Sequence, residues 1–470
     1  MNLNITQGDL SQVNLAFYIA NVSQLDKTIF SPEEFEFVSN KIESSPDNWI
    51  CINQYSRLIY IYRYKKHVPG NHLFLESSRK AGANLGEALN KEKQENVAIN
   101  AFGHDLLLAE GLLLGNYKYL KYLSDKEKNT PSLQNASFSN CSKEELQEVI
   151  NLGESVMFSR DLVNTPVIDL NPTDLANEAK RSSKANGFKV EVFDKKKIES
   201  LKMAGLLAVN AGSIDPPAFI IMEHKPENAK NEKPIILVGK GVVYDTGGLS
   251  LKPSNFMDTM KSDMGGAAAV IGTMQAIASN NINKHVIGLV PSTDNRPGGN
   301  AVTPDDVITY ANGKSVEIKN TDAEGRLILA DALIYAQKYD PELVIDLATL
   351  TGAAAYAIGK YGIVAMGDAE DNAWNKLKTS GKNSYERIVE FPFWEEYDEL
   401  LKSDIADLKN LGPRDAGAIT AGKFLSNFTD YPYIHLDIAG PAFVDANDGY
   451  IKKGGTGVGV RLLYDFLKNY

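Results

Sequence analysis

The sequence predicts an α/β protein of two domains: a smaller mixed α/β domain at the amino terminus and a larger domain whose mostly parallel central sheet is flanked by helices. The chain has 470 residues, more than one ordinary hydrophobic core accommodates. Continuous apolar runs alternate with helical patterns through its later part, as in parallel sheets covered on both faces. A polar, turn-rich stretch at residues 125–142 separates the two parts.

The first domain, residues 1–141, alternates short apolar runs with helical patterns. We predict a strand at residues 58–62, an amphipathic helix at 74–92 and a further helix within 96–115. No group of side chains here suggests a reaction, so we expect a structural or assembly role.

A linker helix, residues 142–163, is predicted because Ser142 followed by Glu145 forms a capping box. It leads into the second domain, residues 164–470. Strands are predicted there at 189–193, 218–222, 234–238, 285–290 and 343–347, with a hairpin, 307–310 and 316–318, turning at Asn312–Gly313. Helices are predicted at 174–186, 265–279, 326–339 and 420–428.

Composition argues against several classes of partner. The net charge of -11 disfavours nucleic acid and anionic membranes, which select basic surfaces. Two cysteines, Cys51 and Cys141, cannot build a disulfide framework or a cysteine-rich metal site. Residues 1–6 lack the basic and apolar regions of an export signal, and no apolar run is long enough to span a bilayer. We therefore expect a cytoplasmic protein.

Seven ionisable residues lie in two short stretches, each beside a predicted buried strand. The first stretch holds Lys240, Asp245, Lys252 and Asp263, and the second holds Asp322, Glu324 and Arg326. Ligands of open α/β sheets bind beyond the carboxyl ends of the strands, where both stretches fall. A strand-end Asp or Lys is often only a cap or a solvated charge, and an acid and an arginine four residues apart can pair along a helix. Together, the seven residues favour a functional site.

If the four carboxylates converge, their charge predicts a metal centre. Unit charges about 4 Å apart repel by roughly 4 kcal/mol at an effective dielectric of about 20. Two divalent ions would balance this charge, and Lys240 could add a neutral amine ligand. Oxygen ligands by themselves favour magnesium or manganese over zinc, so the residues leave the metal open.

Two other functions are compatible with acidic residues at strand ends. A Mg-dependent phosphotransferase or phosphatase would need a phosphate cradle of free amides at a helix start, which the glycine-rich segment 239–248 does not provide. A non-enzymatic binding protein, for example on DNA, is disfavoured by the net acidity and by the complete set of ionisable groups.

Long motifs in this chain closely resemble the signatures of the leucine aminopeptidase (cytosolic aminopeptidase) family. They lie at residues 239–248, 263–268 and 320–333, and the resemblance continues through 349–353, 401–410 and 435–440. It covers roughly residues 155–470, and the string from Asn320 to Leu327 is its most specific part.

The resemblance implies a two-metal exopeptidase that releases amino-terminal, leucine-like residues from peptides. One metal would be held by Lys240, Asp245, Asp263 and Glu324, and the other by Asp245, Asp322 and Glu324. The matching catalytic positions are Lys252 and Arg326. The matching substrate-binding positions are Lys252, Met260, Thr349, Leu350, Gly352 and Ala439.

The resemblance also implies which ions the site binds and how the chain assembles. Zinc or manganese would occupy it, a water activated by both ions would attack the carbonyl, and Lys252 would polarise that carbonyl. A bicarbonate ion held by Arg326 would act as the base, since a planar guanidinium suits a planar oxyanion. The family's usual assembly is a homohexamer.

Overall fold

The computed structural model describes residues 4–8, 13–44, 48–64 and 71–470. Part of the start of the chain, on which the expectation about export rests, lies outside the described residues. The chain divides into two compact units, one of Met1–Met157 with Asp445–Lys453 and one of Phe158–Val444 with Gly454–Tyr470. The mixed α/β class with a mostly parallel central sheet is confirmed. No helix in the described ranges is long and apolar enough to cross a membrane.

The first unit is built on a six-stranded sheet with the order β1-β6-β5-β2-β4-β3, in which only the β3–β4 pair is antiparallel. Its strands are β1 (Asn4–Gln7), β2 (Asn14–Ile19), β3 (Ile50–Asn53), β4 (Leu58–Arg63), β5 (Asn96–Asn100) and β6 (Asn135–Phe138). Its helices are α1 (Pro32–Ser44), α2 (His72–Lys91), α3 (Asp105–Gly115), α4 (Lys126–Asn129) and the start of α5 (Lys143–Asn164).

Glycines let α2 and α3 pack closely. A Cβ on Gly82 would lie 2.3 Å from the carbonyl oxygen of Leu108, and one on Gly111 would lie 1.8 Å from that of Arg79. Only a residue without a side chain allows such an approach of two helix backbones.

Two details of this unit differ from the sequence prediction. The polar stretch 125–142 contains β6, which pairs with both β1 and β5 and so belongs to the sheet. Two of its four residues, exposed Asn135 and half-buried Ser137, are polar, so the segment lacks the apolar run that predicts a strand. Segment Asp445–Lys453, from the far end of the chain, clusters with this unit, and the division between the units falls inside α5.

The second unit contains a nine-stranded sheet, ordered β16-β15-β18-β14-β9-β11-β8-β7 with β10 also on β11. Its strands are β7 (Lys189–Phe193), β8 (Ala218–His224), β9 (Ile235–Gly239), β10 (Gly241–Asp245), β11 (Val286–Asn295), β14 (Leu343–Ala348), β15 (Ile363–Gly367), β16 (Ile388–Glu390) and β18 (Tyr433–Asp437). Shorter strands outside it are β12 (Val307–Thr309), β13 (Ser315–Glu317), β17 (Leu408–Lys409), β19 (Phe443–Val444) and β20 (Gly454–Gly455).

The second unit also contains helices, several of which pack on this sheet. They are α6 (Pro172–Asn186), α7 (Lys195–Ser200), α8 (Ala204–Asn210), α9 (Ser254–Met257), α10 (Gly265–Ser279), α11 (Glu324–Ala336), α12 (Gly352–Ile358), α13 (Asp371–Ser384), α14 (Gly417–Ser426) and α15 (Val460–Asn469). Helix α10 is apolar on nearly all sides, and almost every residue of it is buried.

Parallel pairing brings the ends of three central strands together. Strand β14 pairs in parallel with β9 on one side and with β18 on the other, with Leu347 opposite Gly239 and Ala348 opposite Asp437. The chain segments that follow these strands therefore leave the sheet at one edge. Five of the predicted site residues follow these strands: Lys240, Thr349, Leu350, Gly352 and Ala439.

Candidate metal centre and active site

Lys240 lies directly after β9 and is buried among acids. Its Nζ donates to Asp263 Oδ1 at 2.7 Å and to the carbonyl oxygen of Thr349 at 3.1 Å. It also forms an ion pair with Glu324 Oε1 at 2.8 Å. The strand end, the 3-10 helix Met260–Met264 and the start of α11 therefore meet at one ammonium group.

Lys252, in the loop after β10, joins the remaining two acids. Its Nζ lies 2.8 Å from Asp245 Oδ2 and 2.5 Å from Asp322 Oδ1. The two lysines thus contact all four carboxylates that the sequence singled out, and these four acids converge in the fold. Four negative charges face two lysines, which leaves an excess of negative charge in a largely buried place.

The carboxylates have free ligand atoms suited to cations. Ligand oxygens of Asp245, Asp322 and Glu324 all lie within 4.8 Å of one another. Asp263 Oδ2 and Glu324 Oε2 are buried and have no hydrogen-bond partner among the described residues. A buried carboxylate oxygen without a partner is costly, whereas a divalent ion would satisfy it. The residues therefore fit a metal centre.

Burial and like charges shift the pKa values of these groups. Burial raises the pKa of Asp322 to about 6, and the nearby Asp245 carboxylate adds to this while Lys252 opposes it. Burial also raises the pKa of Asp263. For Lys240 and Lys252 burial lowers the pKa, but the surrounding carboxylates outweigh it and hold both pKa values above the ordinary range. Such shifts are typical of functional clusters.

Arg326 is buried on the first turn of α11, two residues after Glu324. Its Nη1 donates to the carbonyl oxygen of Asn410 at 2.8 Å, while its buried Nε finds no partner in the described part of the chain. Burial lowers its pKa to about 10, against the charges of Glu324 and Asp437. A guanidinium with an unused N–H suits a planar oxyanion.

A further set of polar residues holds the ligands in place, and the sequence did not single it out. Asn295, at the end of β11, donates from Nδ2 to Asp245 Oδ1 at 2.8 Å and to the carbonyl oxygen of Thr321 at 3.0 Å. Thr321 in turn donates from Oγ1 to the carbonyl oxygen of Gly247 at 2.6 Å. Because Asn295 ends a strand that pairs with β10, the strand-end rule could have found it.

The Asp437 carboxylate contacts two segments that are predicted to line the substrate pocket. Its carboxylate accepts from the backbone N–H groups of Leu350 at 3.2 Å and Ala439 at 3.1 Å, and from Thr351 Oγ1 at 2.7 Å. Gly352 then begins α12, for which Thr351 is the N-cap. The structure thus brings Leu350, Gly352 and Ala439 to the same strand ends.

The two remaining pocket candidates lie beside the metal candidates. Thr349 Oγ1 donates to Asp263 Oδ1 at 2.8 Å, and Met260 begins the 3-10 helix that carries Asp263. Every predicted site residue is therefore in the second unit, on segments that contact one another or are adjacent in the chain.

Comparison with known proteins shows that the chain is similar to peptidases. A family profile described as the cytosol aminopeptidase family, catalytic domain, matches residues 157–464. A probable cytosol aminopeptidase of Chlorobaculum tepidum is 46% identical over 396 residues, covering 81% of this chain and 77% of that protein. One from Clostridium perfringens is 43% identical over 367 residues, covering 76% and 74%.

Solved structures agree over nearly the whole chain. A mutant of tomato leucine aminopeptidase matches with a TM-score of 0.86 and 28% identity, covering 100% of this chain and 97% of its own. A bottromycin maturation enzyme in complex with Mn matches with a TM-score of 0.86 and 27% identity, covering 97% and 99%.

Proposed function

The chain belongs to the cytosol aminopeptidase family, and on that premise we propose that it releases amino-terminal residues from peptides with two divalent ions held by the carboxylate cluster. It is accordingly a metal-dependent hydrolase of the leucyl aminopeptidase type. The family match does not favour the Mg-dependent phosphotransferase or phosphatase alternative.

One observation carries the proposal. Four carboxylates from three separate chain segments converge, and two of them retain buried oxygens with no hydrogen-bond partner among the described residues. Packing alone gives no reason to bury such oxygens. We assign one ion to Lys240, Asp245, Asp263 and Glu324, and the other to Asp245, Asp322 and Glu324. Zinc or manganese is proposed, and the Mn complex of one structural relative supports the latter.

The bound ions would supply a water acidified for attack and a Lewis acid for the scissile carbonyl. Lys252 would hold its ammonium beside the carbonyl oxygen, where negative charge grows in the transition state. Its ion pairs with Asp245 and Asp322 hold that charge beside two of the proposed metal ligands. Lys240 would contribute a neutral amine, because a metal lowers the pKa of a base that it binds.

Arg326 is proposed to hold the base. All four nearby carboxylates would be occupied by metal, so a proton acceptor must come from elsewhere. A bicarbonate ion fits the free, buried Nε and the planar fork of this arginine. Held by Arg326, such an ion would supply the general base for the reaction.

The pocket proposed for the leading side chain of the peptide consists of Lys252, Met260, Thr349, Leu350, Gly352 and Ala439. Its small and apolar residues suit a leucine-like side chain. Its backbone is held by Asp437, which fixes Leu350 and Ala439 relative to each other. Pocket volume discriminates apolar side chains only modestly, so related residues should also be cleaved.

Assembly and location complete the proposal. We propose a cytoplasmic homohexamer, with the first 141 residues in a structural or assembly role, residues 142–163 as the linker helix and residues 164–470 as the catalytic domain. Size-exclusion chromatography with light scattering should give six times the chain mass of 51.5 kDa. A monomer or dimer would refute the hexamer.

Hydrolysis of Leu-p-nitroanilide tests the function. We expect activity that Mn²⁺ supports and that a chelator abolishes; activity indifferent to the chelator would contradict the assignment. Lys252→Ala should lower kcat by about 10²–10³-fold while bound metal is retained, because charge stabilisation in the transition state is lost. Lys423→Ala is the matched control, since this buried lysine pairs with Asp398 at 3.0 Å outside the site. Unchanged turnover in Lys252→Ala would remove this lysine from the mechanism.

A further inference from the structure

Asn410 is a fully buried residue that no sequence argument assigns a role. It follows β17, which pairs in parallel with β13 through Val316 opposite Leu408. Its backbone N–H donates to the carbonyl oxygen of Glu317 at 2.9 Å. This pairing brings its side chain to the loop at residues 318–323, which leads to the carboxylates Asp322 and Glu324.

The side-chain amide of Asn410 binds that loop at both of its ends. Oδ1 accepts from the backbone N–H groups of Lys319 at 2.8 Å and Asn320 at 3.3 Å. Nδ2 donates to the carbonyl oxygens of Asn320 at 2.8 Å and Ala323 at 3.4 Å. The two partners of the amide oxygen are N–H donors, and the two partners of the amide nitrogen are carbonyl acceptors. These partners therefore allow only one of the two orientations of the amide.

The backbone of Asn410 holds a different part of the site. Its carbonyl oxygen accepts from Arg326 Nη1 at 2.8 Å. One residue therefore contacts both the loop that carries Asp322 and the guanidinium of Arg326. Within the loop, the N–H of Asp322 donates to Asn320 Oδ1 at 2.8 Å, so the contacts of Asn410 with Asn320 extend to the ligand itself.

A loop that brings acids into a negatively charged cluster needs such support. Mutual repulsion of the carboxylates favours loop conformations that separate them before any cation is bound. We propose that Asn410 is a positioning residue: it fixes the loop at residues 318–323 relative to Arg326, so that the metal ligands are preorganised. This inference rests on the proposed metal-dependent function.

The test compares Asn410→Leu with a matched control, Asn210→Leu. Leucine has nearly the shape of asparagine and removes the side-chain hydrogen bonds without adding charge. Asn210 is also buried in the second unit, and its Nδ2 donates to the carbonyl oxygen of Asp215 at 2.8 Å and to Thr293 Oγ1 at 3.2 Å. Both variants should lose thermal stability, because both leave buried backbone or hydroxyl groups unpaired.

Only Asn410→Leu should change the metal centre. We expect its Mn²⁺ content, measured against a graded chelator, to show an apparent affinity at least about 10-fold weaker than that of the wild type. At saturating Mn²⁺ its kcat for Leu-p-nitroanilide should fall by about 10²-fold, with KM nearly unchanged. Asn210→Leu should retain the wild-type affinity for Mn²⁺ and the wild-type kcat.

Equal Mn²⁺ affinity in the two variants would overturn the inference. If Asn410→Leu does not fold, Asn410→Asp tests the inference instead. This variant keeps the oxygen that accepts from Lys319 and Asn320 and replaces only the Nδ2 donor. A kcat of Asn410→Asp equal to that of the wild type would likewise overturn it. A wild type without Mn²⁺-dependent peptidase activity would refute the proposed function, whereas the Mn²⁺ affinities of the two leucine variants would still decide the role of Asn410.

Discussion

Gly325, between Glu324 and Arg326, offers a sharp test of the position of Lys240. A Cβ built on Gly325 would lie 2.4 Å from Lys240 Cε, 2.7 Å from its Nζ and 2.8 Å from its Cδ. Ordinary contact begins at 3.4 Å, so Gly325→Ala requires the lysine to move by about 1 Å. The lysine then loses its present geometry with Asp263, to which Nζ donates at 2.7 Å.

The expected effect falls on activity rather than on folding. A misplacement of about 1 Å in a catalytic constellation costs about 10²-fold in rate, so kcat/KM should fall by about that factor. Alanine is favoured over glycine within a helix by up to about 1 kcal/mol, which offsets part of the weakened contacts of Lys240. The free energy of unfolding should therefore stay within about 2 kcal/mol of the wild-type value.

The assay is Mn²⁺-dependent hydrolysis of Leu-p-nitroanilide, with urea unfolding measured on the same samples. Gly417→Ala serves as the control, since Gly417 begins α14 and its added Cβ would meet only Ala353 Cβ, at 3.4 Å. We expect this control to keep wild-type activity. If Gly325→Ala kept kcat/KM within about threefold of the wild type, the placement of Lys240 would not matter and its role as a ligand would be refuted.

Three further predictions follow from other buried groups. Arg326→Lys should lower kcat by about 10²-fold in a bicarbonate-titrated assay, because an ammonium lacks the planar fork; an unchanged bicarbonate response would contradict this. Burial lowers the pKa of His435, but Asp346 outweighs it and raises that pKa above 6.5. The stability advantage of the wild type over His435→Gln in thermal unfolding should therefore be full below pH 6.5 and be lost as pH rises through the raised pKa. A pH-independent difference would exclude this origin. Asp331→Ala should lower the free energy of unfolding by about 1–3 kcal/mol in urea, because the buried N–H of Leu206, which Asp331 Oδ2 accepts at 2.7 Å, loses its partner; a loss of activity without a loss of stability would contradict it.

Local sequence patterns identified many of the regular elements of the second unit. Helix α10 has the predicted bounds, residues 265–279, because its apolar and small residues form one long run without proline or charged residues. Strand β7 likewise has its predicted bounds, and β9, β11 and β14 differ from the predictions by only a few residues except at the carboxyl end of β11.

Elements that depend on distant partners escaped the sequence analysis. The glycine-rich segment 239–248 contains strand β10, which pairs with β11 with a register shift between Val242 and Asp245. Strand β18 and helices α12, α13 and α15 were not predicted as such. The helix expected at residues 326–339 begins at Glu324, and its last turn, Gln337–Tyr339, is a 3-10 helix. Helix ends often tighten in this way, which a 3.6-residue pattern does not reveal.

The chemistry of the site was evident in the sequence because it depends on residue types and short spacings. Acids and an arginine within Asn320–Leu327, and lysines and acids after a buried strand, indicate cation binding before any fold is known. Their resemblance to a peptidase family is also a property of the chain alone.

Only the tertiary structure decided how these groups meet and what holds them. The strand order places the ends of β9, β14 and β18 side by side, and this register joins residues more than 100 positions apart, such as Lys240 and Thr349. Asn410 carries no local signal, because the partners of its side chain are backbone groups in a distant segment. Such contacts arise from long-range packing, whereas the residue types and spacings that indicate cation binding can be read from the sequence alone.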